Sequence, residues 1–428
     1  MINRNSNALG TRQWDVIVVG ARVAGAATAM LLARAGLRVL CVDRSRYGGD
    51  TVSTHALMRG GVLQLQRWGV LDAVADAGTP PVRRTVFHYG AESVGVSIRP
   101  SAGVEALYAP RRTVIDALLV DAAQRAGATV EFGAAVAGLA RDSDGRVTGV
   151  IIEDRRAGLR HGTGAFDSAG DGADVDRDPV AGRMAVVDSC IERIERAPLV
   201  IGADGRNSLV ARTAGAPAGT VGRWPSSYLY GYWADFPSDG YEWFYRPGLT
   251  AGAIPTNAGL TCVFVGAHPD RMEDLVSARP PLAALQLLAD PAGIGQRLRD
   301  AVRVEPVRYS RVLPPGYLRR AYGPGWALVG DAGHWIDPIS THGMTAALRD
   351  AELLSQAVIS APLGGPRLQF ALAGYQATRD RLSLPMLQVT EEIASYHWDL
   401  TSIRPLLRTL SSAMTDEVEA MSALAAVA

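Results

Sequence analysis

The sequence predicts a mixed α/β fold. A Rossmann-type dinucleotide-binding domain is interrupted by an antiparallel-sheet substrate domain and followed by a helical C-terminal region. Three observations carry this reading. A strand-helix-strand pattern runs from Asp15 to Val42, with a glycine-rich turn between its first strand and its helix. Short apolar segments separated by turn residues run from Tyr228 to Ala267. The tail, Leu372 to Val427, reads as two or three helices.

From Asp15 the chain runs to Val19 through unbroken apolar residues, as expected for a parallel strand covered on both faces. Val23 to Ala35 is rich in Ala and Leu, both strong helix formers. Gly36 stands where a helix C-cap glycine would, and Leu37 to Val42 is the second strand. Asp116 to Ala126 reads as a helix ended by Gly127, with strands expected at Thr129–Phe132 and Val147–Ile152. Between Arg155 and Ser189 the periodicity fails and Gly and Asp accumulate, so an irregular insertion is expected. Its acidic spacing does not fit a calcium loop, and no metal site is expected. Val200 to Gly205 is a short strand and turn. Pro237-Ser238-Asp239-Gly240, Pro247-Gly248 and Thr256-Asn257 are hairpin signals. Trp326 to Val329 is a buried strand and Met344 to Ile359 a periodic helix. The dinucleotide domain is thus expected over residues 13–80, 105–220 and 316–365, with the insertion at about 155–189. The substrate domain takes 81–104 and 221–315, and the helical region 366–428.

Composition excludes several classes. The 43 basic residues balance 43 acidic ones, so no global field attracts nucleic acid or an anionic membrane. Every member of the Lys-plus-Arg set is arginine. Schiff-base, P-loop and general-acid lysines are therefore excluded. Cys41, Cys190 and Cys262 are scattered, against a disulfide scaffold, a zinc site or dithiol chemistry. Met1 to Arg12 is polar and unlike a signal peptide. The apolar stretch Val16–Val42 is interrupted by Arg22, Arg34 and Arg38, so no membrane span is expected and a cytoplasmic enzyme is.

Gly20-Ala21-Arg22-Val23-Ala24-Gly25 occupies the position of the dinucleotide fingerprint Gly-x-Gly-x-x-Gly. The first glycine serves the tight turn and the third the close packing of helix on strand. Arg22 replaces the second glycine, which ordinarily permits close backbone approach, and offers its own charge to a pyrophosphate. The helix N-terminus beyond it suits an anion. Asp43, with Arg44 beside it, ends the second strand and is placed to accept hydrogen bonds from the adenosine ribose.

Two later motifs point to the cofactor by resemblance. Val200-Ile201-Gly202-Ala203-Asp204-Gly205-Arg206-Asn207-Ser208 and Gly330-Asp331-Ala332-Gly333-His334 resemble segments of the single-component, aromatic hydroxylase-like flavoprotein monooxygenases. Asp337-Pro338 through His342-Gly343-Met344 follows in that family's order. The resemblance spans most of residues 14–360 and implies a glutathione-reductase-like FAD domain. It implies that Asp331 (beside Gly330) accepts from the ribityl hydroxyls and that Arg112 reaches the FAD pyrophosphate, with Arg111 as the competing choice. It implies too that Asp204 supports FAD and the passage of the pyridine nucleotide, the alternative being a turn-capping aspartate beside Gly205. Pro338 to Gly343 opens the helix from Met344, whose N-terminal amides suit negative charge on reduced flavin. Gly49-Asp50-Thr51-Val52-Ser53-Thr54-His55 and Arg67-Trp68-Gly69 resemble a subfamily of bacterial FAD-dependent oxidoreductases. His342 and His55 are the catalytic candidates, and His334 is read as structural.

The implied activity is monooxygenation. NAD(P)H, bound transiently because no second fingerprint follows the first, reduces FAD. Oxygen then enters a small organic substrate through a flavin C4a-hydroperoxide. The substrate is expected to be aromatic or polyketide-like. The alternative is a reductase of carbon–carbon double bonds resembling geranylgeranyl reductases, of which Tyr241-Glu242-Trp243-Phe244 is a faint echo. A flavoprotein that binds a ligand without turnover is a third reading. A halogenase is disfavoured, because the chain has neither lysine nor a Trp-x-Trp-x-Ile-Pro motif.

Overall fold

A computed structural model describes residues 14–51, 53–154 and 191–424. The expected irregular insertion lies outside the described residues.

The apolar run after Asp15 becomes the strand Val16–Val19, buried at every position. It pairs in parallel with Val39–Asp43 on one side and Leu199–Gly202 on the other. The full sheet runs Tyr322–Gly323, Trp326–Leu328, Leu199–Gly202, Val16–Val19, Val39–Asp43, Thr129–Phe132. The helix Val23–Arg34 returns across it and is buried at ten of its twelve residues. Such strands and helix are apolar all round because both sides are covered. Gly36 takes the left-handed conformation expected of a C-cap glycine, φ 84°. A three-stranded sheet, Ala134–Arg141, Val147–Asp154 and Ile191–Arg196, packs beside this unit.

The helix expected from Asp116 begins earlier, at Arg112. Arg111 is the extended residue before it, and Arg112 is stabilised there by a bidentate pairing with Asp116 one turn on. The tail forms two long helices, Pro366–Ala394 and Ile403–Ser422.

The second sheet has eight strands. Ser226–Ala234, Leu260–Ala267, Leu249–Pro255 and Tyr241–Arg246 form an antiparallel meander, broken at the expected turns. A wholly antiparallel sheet is corrected at one edge. Arg84–Tyr89 lies parallel to Tyr241–Arg246, because it arrives from a separate chain segment rather than through a hairpin. Sequence reasoning also passed over three helices between 269 and 300. They cover the outer face of the sheet, against Leu229, Trp233, Phe244 and Val263.

The inner face alternates with the outer one. It carries Tyr228, Tyr230 and Tyr232 on one strand, Tyr241, Trp243 and Tyr245 on another, and Phe264 on a third. The two C-terminal helices pack there through Met386, Ile393, Ile403 and Leu410. Among the described residues, no helix is long and apolar enough to cross a membrane.

Candidate active site

The fingerprint turn shows why its glycines are needed. Gly20 has φ 103°, and a Cβ there would lie 2.4 Å from the Ala203 carbonyl oxygen. A Cβ on Gly25 would lie 1.8 Å from the Gly20 oxygen, so helix and strand meet backbone to backbone. The Asp43 carboxylate accepts from Ala21 N–H at 2.7 Å and from the Ser45 amide at 2.7 Å. It thereby pins the glycine turn to the end of the second strand and keeps lone-pair capacity for further donors. Val23 and Ala24 form the first turn of the helix, where the Arg22 side chain makes no capping bond and the Val23 amide bonds the Asp116 carboxylate. The other amides at this N-terminus suit an anion. Arg44 is exposed at the strand end.

Arg22 and Arg112 converge on Asp116, at 3.5 and 3.0 Å. Asp116 was not singled out from the sequence. It is a buried acid one helical turn after an arginine, a pattern that could have marked it. Burial raises its pKa and the two guanidiniums oppose that rise. Arg22 Nη1 is buried without a hydrogen-bond acceptor. A cationic pair held this way, with an unused donor, fits a pyrophosphate.

Asp331 follows the Trp326–Leu328 strand in a short 3-10 turn. Its carboxylate has no hydrogen-bond donor among the described residues. Burial pushes its pKa up to about 6, against the pull of Arg112 and Arg206. An orphaned carboxyl beside two arginines fits a ligand that brings hydroxyl donors, as a ribityl chain does. Gly330, at φ 58°, lets this turn approach Ala24 closely, since a Cβ would stand 2.8 Å from the Ala24 methyl. Arg206, the residue after Gly205 in its motif, is thus brought to the site by the fold.

The Pro338–Ser340 turn leads into the Gly343–Ile359 helix. A Cβ on Gly343 would meet nothing within 4 Å, so the helix start faces open space. Pro338, Gly343 and Met344 are partly exposed there, and no side chain caps the helix. Asp337 ties the turn to the eight-stranded sheet. Its carboxylate accepts from Tyr228 at 2.5 Å, from Ser226 and from the Ile339 amide at 2.8 Å. The residues brought together here therefore fit FAD.

Arg111 goes elsewhere. Its guanidinium lies 3.8 Å over the Tyr232 ring and pairs with Glu305 at 2.9 Å and Asp50 at 3.2 Å. Tyr232 in turn bonds His55 Nε2 through its hydroxyl. His55 is fully buried, takes a left-handed φ of 65°, and leaves Nδ1 without a partner. Burial, then Arg111 and Arg112, push its pKa down to about 3. Burial also holds the Tyr232 hydroxyl protonated, so the contact joins a neutral phenol to a neutral imidazole.

Two assignments are corrected. Sequence reasoning gives Asp204 to cofactor and nucleotide passage. The carboxylate instead caps the Leu209–Ala214 helix, accepting from Ser208 Oγ at 2.5 Å and the Leu209 amide at 2.6 Å. His342 is a catalytic candidate expected beside the flavin ring. Its imidazole instead sits in the interior, 3.0 Å from Glu417, beside Arg349. Among the described residues, no cluster of His, Cys, Asp and Glu could hold a metal.

Comparison with known proteins agrees with this geometry. Residues 13–162 match the family model described as FAD binding domain. Menaquinone reductase of Mycolicibacterium smegmatis is 27% identical over 427 residues, covering 94% of this chain and 92% of that protein. Ubiquinone hydroxylase UbiL of Rhodospirillum rubrum is 31% identical over 207 residues, 46% of each chain. Among solved structures, PqsL of Pseudomonas aeruginosa, a probable FAD-dependent monooxygenase, superposes with a TM-score of 0.73 at 18% identity. The match covers 94% of this chain and all of that one, a likeness of fold.

Proposed function

We propose that this chain, an FAD-dependent oxidoreductase by its FAD-binding domain, is an NAD(P)H-dependent monooxygenase acting on a small planar organic substrate. The observation that carries the reading is the wall of aromatic side chains on the inner face of the substrate sheet. Asp337 fastens the strand bearing Tyr228, Tyr230 and Tyr232 to the loop that opens at Gly343. Aromatic walls of this kind favour flat ligands through offset stacking, about 0.5–1.5 kcal/mol per contact beyond area burial. A quinoid or phenolic ring is the substrate class in keeping with the wall and with the quinone-directed relatives.

FAD, when bound, supplies the redox chemistry and the activation of dioxygen. The chain's own contribution is placement. Arg22 and Arg112 hold the anionic diphosphate, and Asp331 accepts the ribityl hydroxyls. The uncapped amides at Gly343 and Met344 favour negative charge beside them. The aromatic wall excludes water from the substrate side. His55, neutral and fixed by Tyr232, keeps Nδ1 unpartnered for a hydrogen bond at the junction of the two domains.

The test is turnover of phenol and naphthoquinone candidates by the FAD-loaded protein with NADPH or NADH under labelled dioxygen. Incorporation of one labelled oxygen atom into product supports the reading. A product that gains two hydrogens, and forms equally well without oxygen, overturns it. That second outcome would establish the reductase reading, which is favoured by the alignment of a reductase along nearly the whole of both chains.

A further inference from the structure

We propose that Glu417, on the last helix, is a positioning residue for the flavin loop. Through His342 and Arg349 it fixes the first turn of the Gly343–Ile359 helix in the place where that turn meets the flavin. The inference rests on the FAD placement proposed above and adds to it a control from the far end of the chain.

The loop from Pro338 to His342 is held at both ends. At its start, Asp337 is bound to Ser226 and Tyr228 of the substrate sheet. At its end, Glu417 Oε2 accepts from His342 Nε2 at 3.0 Å and from Arg349 Nη1 at 2.7 Å. All three of these side chains are about 1% exposed. Between the anchors, Thr341 adopts a left-handed φ of 51°. A β-branched residue in that region costs on the order of 1–3 kcal/mol and persists only where its surroundings enforce it. The two anchors are those surroundings.

The site is built to receive Glu417. The Arg59–Arg67 helix presents glycines to it. A Cβ on Gly60 would lie 3.1 Å from Glu417 Oε1 and 3.2 Å from Thr345 Cγ2, and one on Gly61 would lie 2.9 Å from Thr345 Oγ1. The Met58 amide donates to that same Thr345 hydroxyl at 3.0 Å. Arg67 binds the end of the last helix, donating to the carbonyls of Met421 at 2.6 Å and Leu424 at 2.9 Å. Three helices thus meet behind the flavin-facing turn, and the carboxylate lies at their junction. Burial alone would raise the Glu417 carboxyl, yet His342 and Arg349 hold it down at about 2. It is therefore a fixed negative charge. The open side of the turn, at Gly343, has no side chain to hold it. Its position is set from behind.

The experiment compares full-length wild type with Glu417→Gln. FAD affinity is measured by fluorescence quenching and the midpoint potential of the bound flavin by dye equilibration. Glu417→Gln keeps the shape but loses the charge that orients His342 and Arg349. The expected result is at least tenfold weaker FAD binding, with the reduced form affected about tenfold more than the oxidised. That ratio corresponds to a potential lower by about 30 mV for a two-electron couple. Trp68→Phe is the control. It removes a buried hydrogen bond from Trp68 to Glu352 further along the same helix, and is expected to cost stability while leaving the potential unchanged. His342→Gln is expected to reproduce the shift, with no further change in the double variant. It carries the test if Glu417→Gln does not fold. Unchanged affinity and potential in the folded variants, or an equal shift in Trp68→Phe, overturns the inference alone. Wild-type protein that binds no FAD overturns the proposed function together with it.

Discussion

Asp337 accepts a 2.5 Å hydrogen bond from Tyr228, and that contact joins the Pro338–His342 loop to the eight-stranded sheet across 109 positions of sequence. Burial pushes the Asp337 carboxyl up, while Ser226, Tyr228 and the Ile339 amide favour its charged form. Replacing it with Ala strands two buried hydroxyls. Asp337→Ala is expected to cost about 2–4 kcal/mol in urea unfolding, from unsatisfied donors near a lost charge. Tyr228→Phe is expected to cost about 1.5–3 kcal/mol, since one charge-assisted bond is lost and the other two remain.

Asp331 is expected to make FAD binding depend on pH. Its carboxyl is raised to about 6 in the ligand-free fold. An acid whose folded pKa is raised stabilises the fold fully below its unfolded value and loses that contribution as pH rises through the folded one. Ligand-free wild type is therefore expected to lose about 1–3 kcal/mol from pH 4 to pH 7 that Asp331→Asn does not lose. Hydroxyl donors favour the carboxylate. FAD affinity measured by quenching is accordingly expected to strengthen as pH rises through 6 in wild type and to stay level in Asp331→Asn.

His55 has the opposite signature. Its folded pKa is depressed to about 3. The stability it contributes is present above the unfolded value near 6.5 and is lost as pH falls toward the folded one. Between pH 7 and pH 5, wild type is expected to lose about 2 kcal/mol more than His55→Gln in parallel urea titrations. Equal losses would show that the imidazole is not held neutral.

Gly25→Ala tests the fingerprint turn. The new methyl would sit 1.8 Å from the Gly20 oxygen and 3.0 Å from the Ala203 Cβ, so backbone must move. The expected cost is on the order of 3 kcal/mol, with loss of bound FAD after gel filtration. Gly343→Ala is the contrast, because its Cβ meets no protein atom within 4 Å. It is expected to leave stability within about 1 kcal/mol while weakening FAD, as the methyl enters space facing the cofactor.

The sequence by itself determined the parts whose physics is local. Val16–Val19 and Val39–Asp43 are buried on both faces, so their apolar runs announce parallel strands. Gly20 and Gly25 are demanded by backbone approaching backbone within a few residues of chain, and the turn signals at Pro237–Gly240 and Pro247–Gly248 end strands where they stand. Tertiary structure alone decided where the polar side chains of the site point. His342 is met by Glu417 from 75 residues away and His55 by Tyr232 from 177. Asp204 is claimed by the start of the Leu209–Ala214 helix, the capping role rather than the cofactor role that its motif also allows. A hydrogen bond is worth most in the interior, where its alternative is an unpaired polar group. The partner that satisfies a buried histidine is therefore chosen by packing, and packing of distant elements leaves no local pattern in the chain.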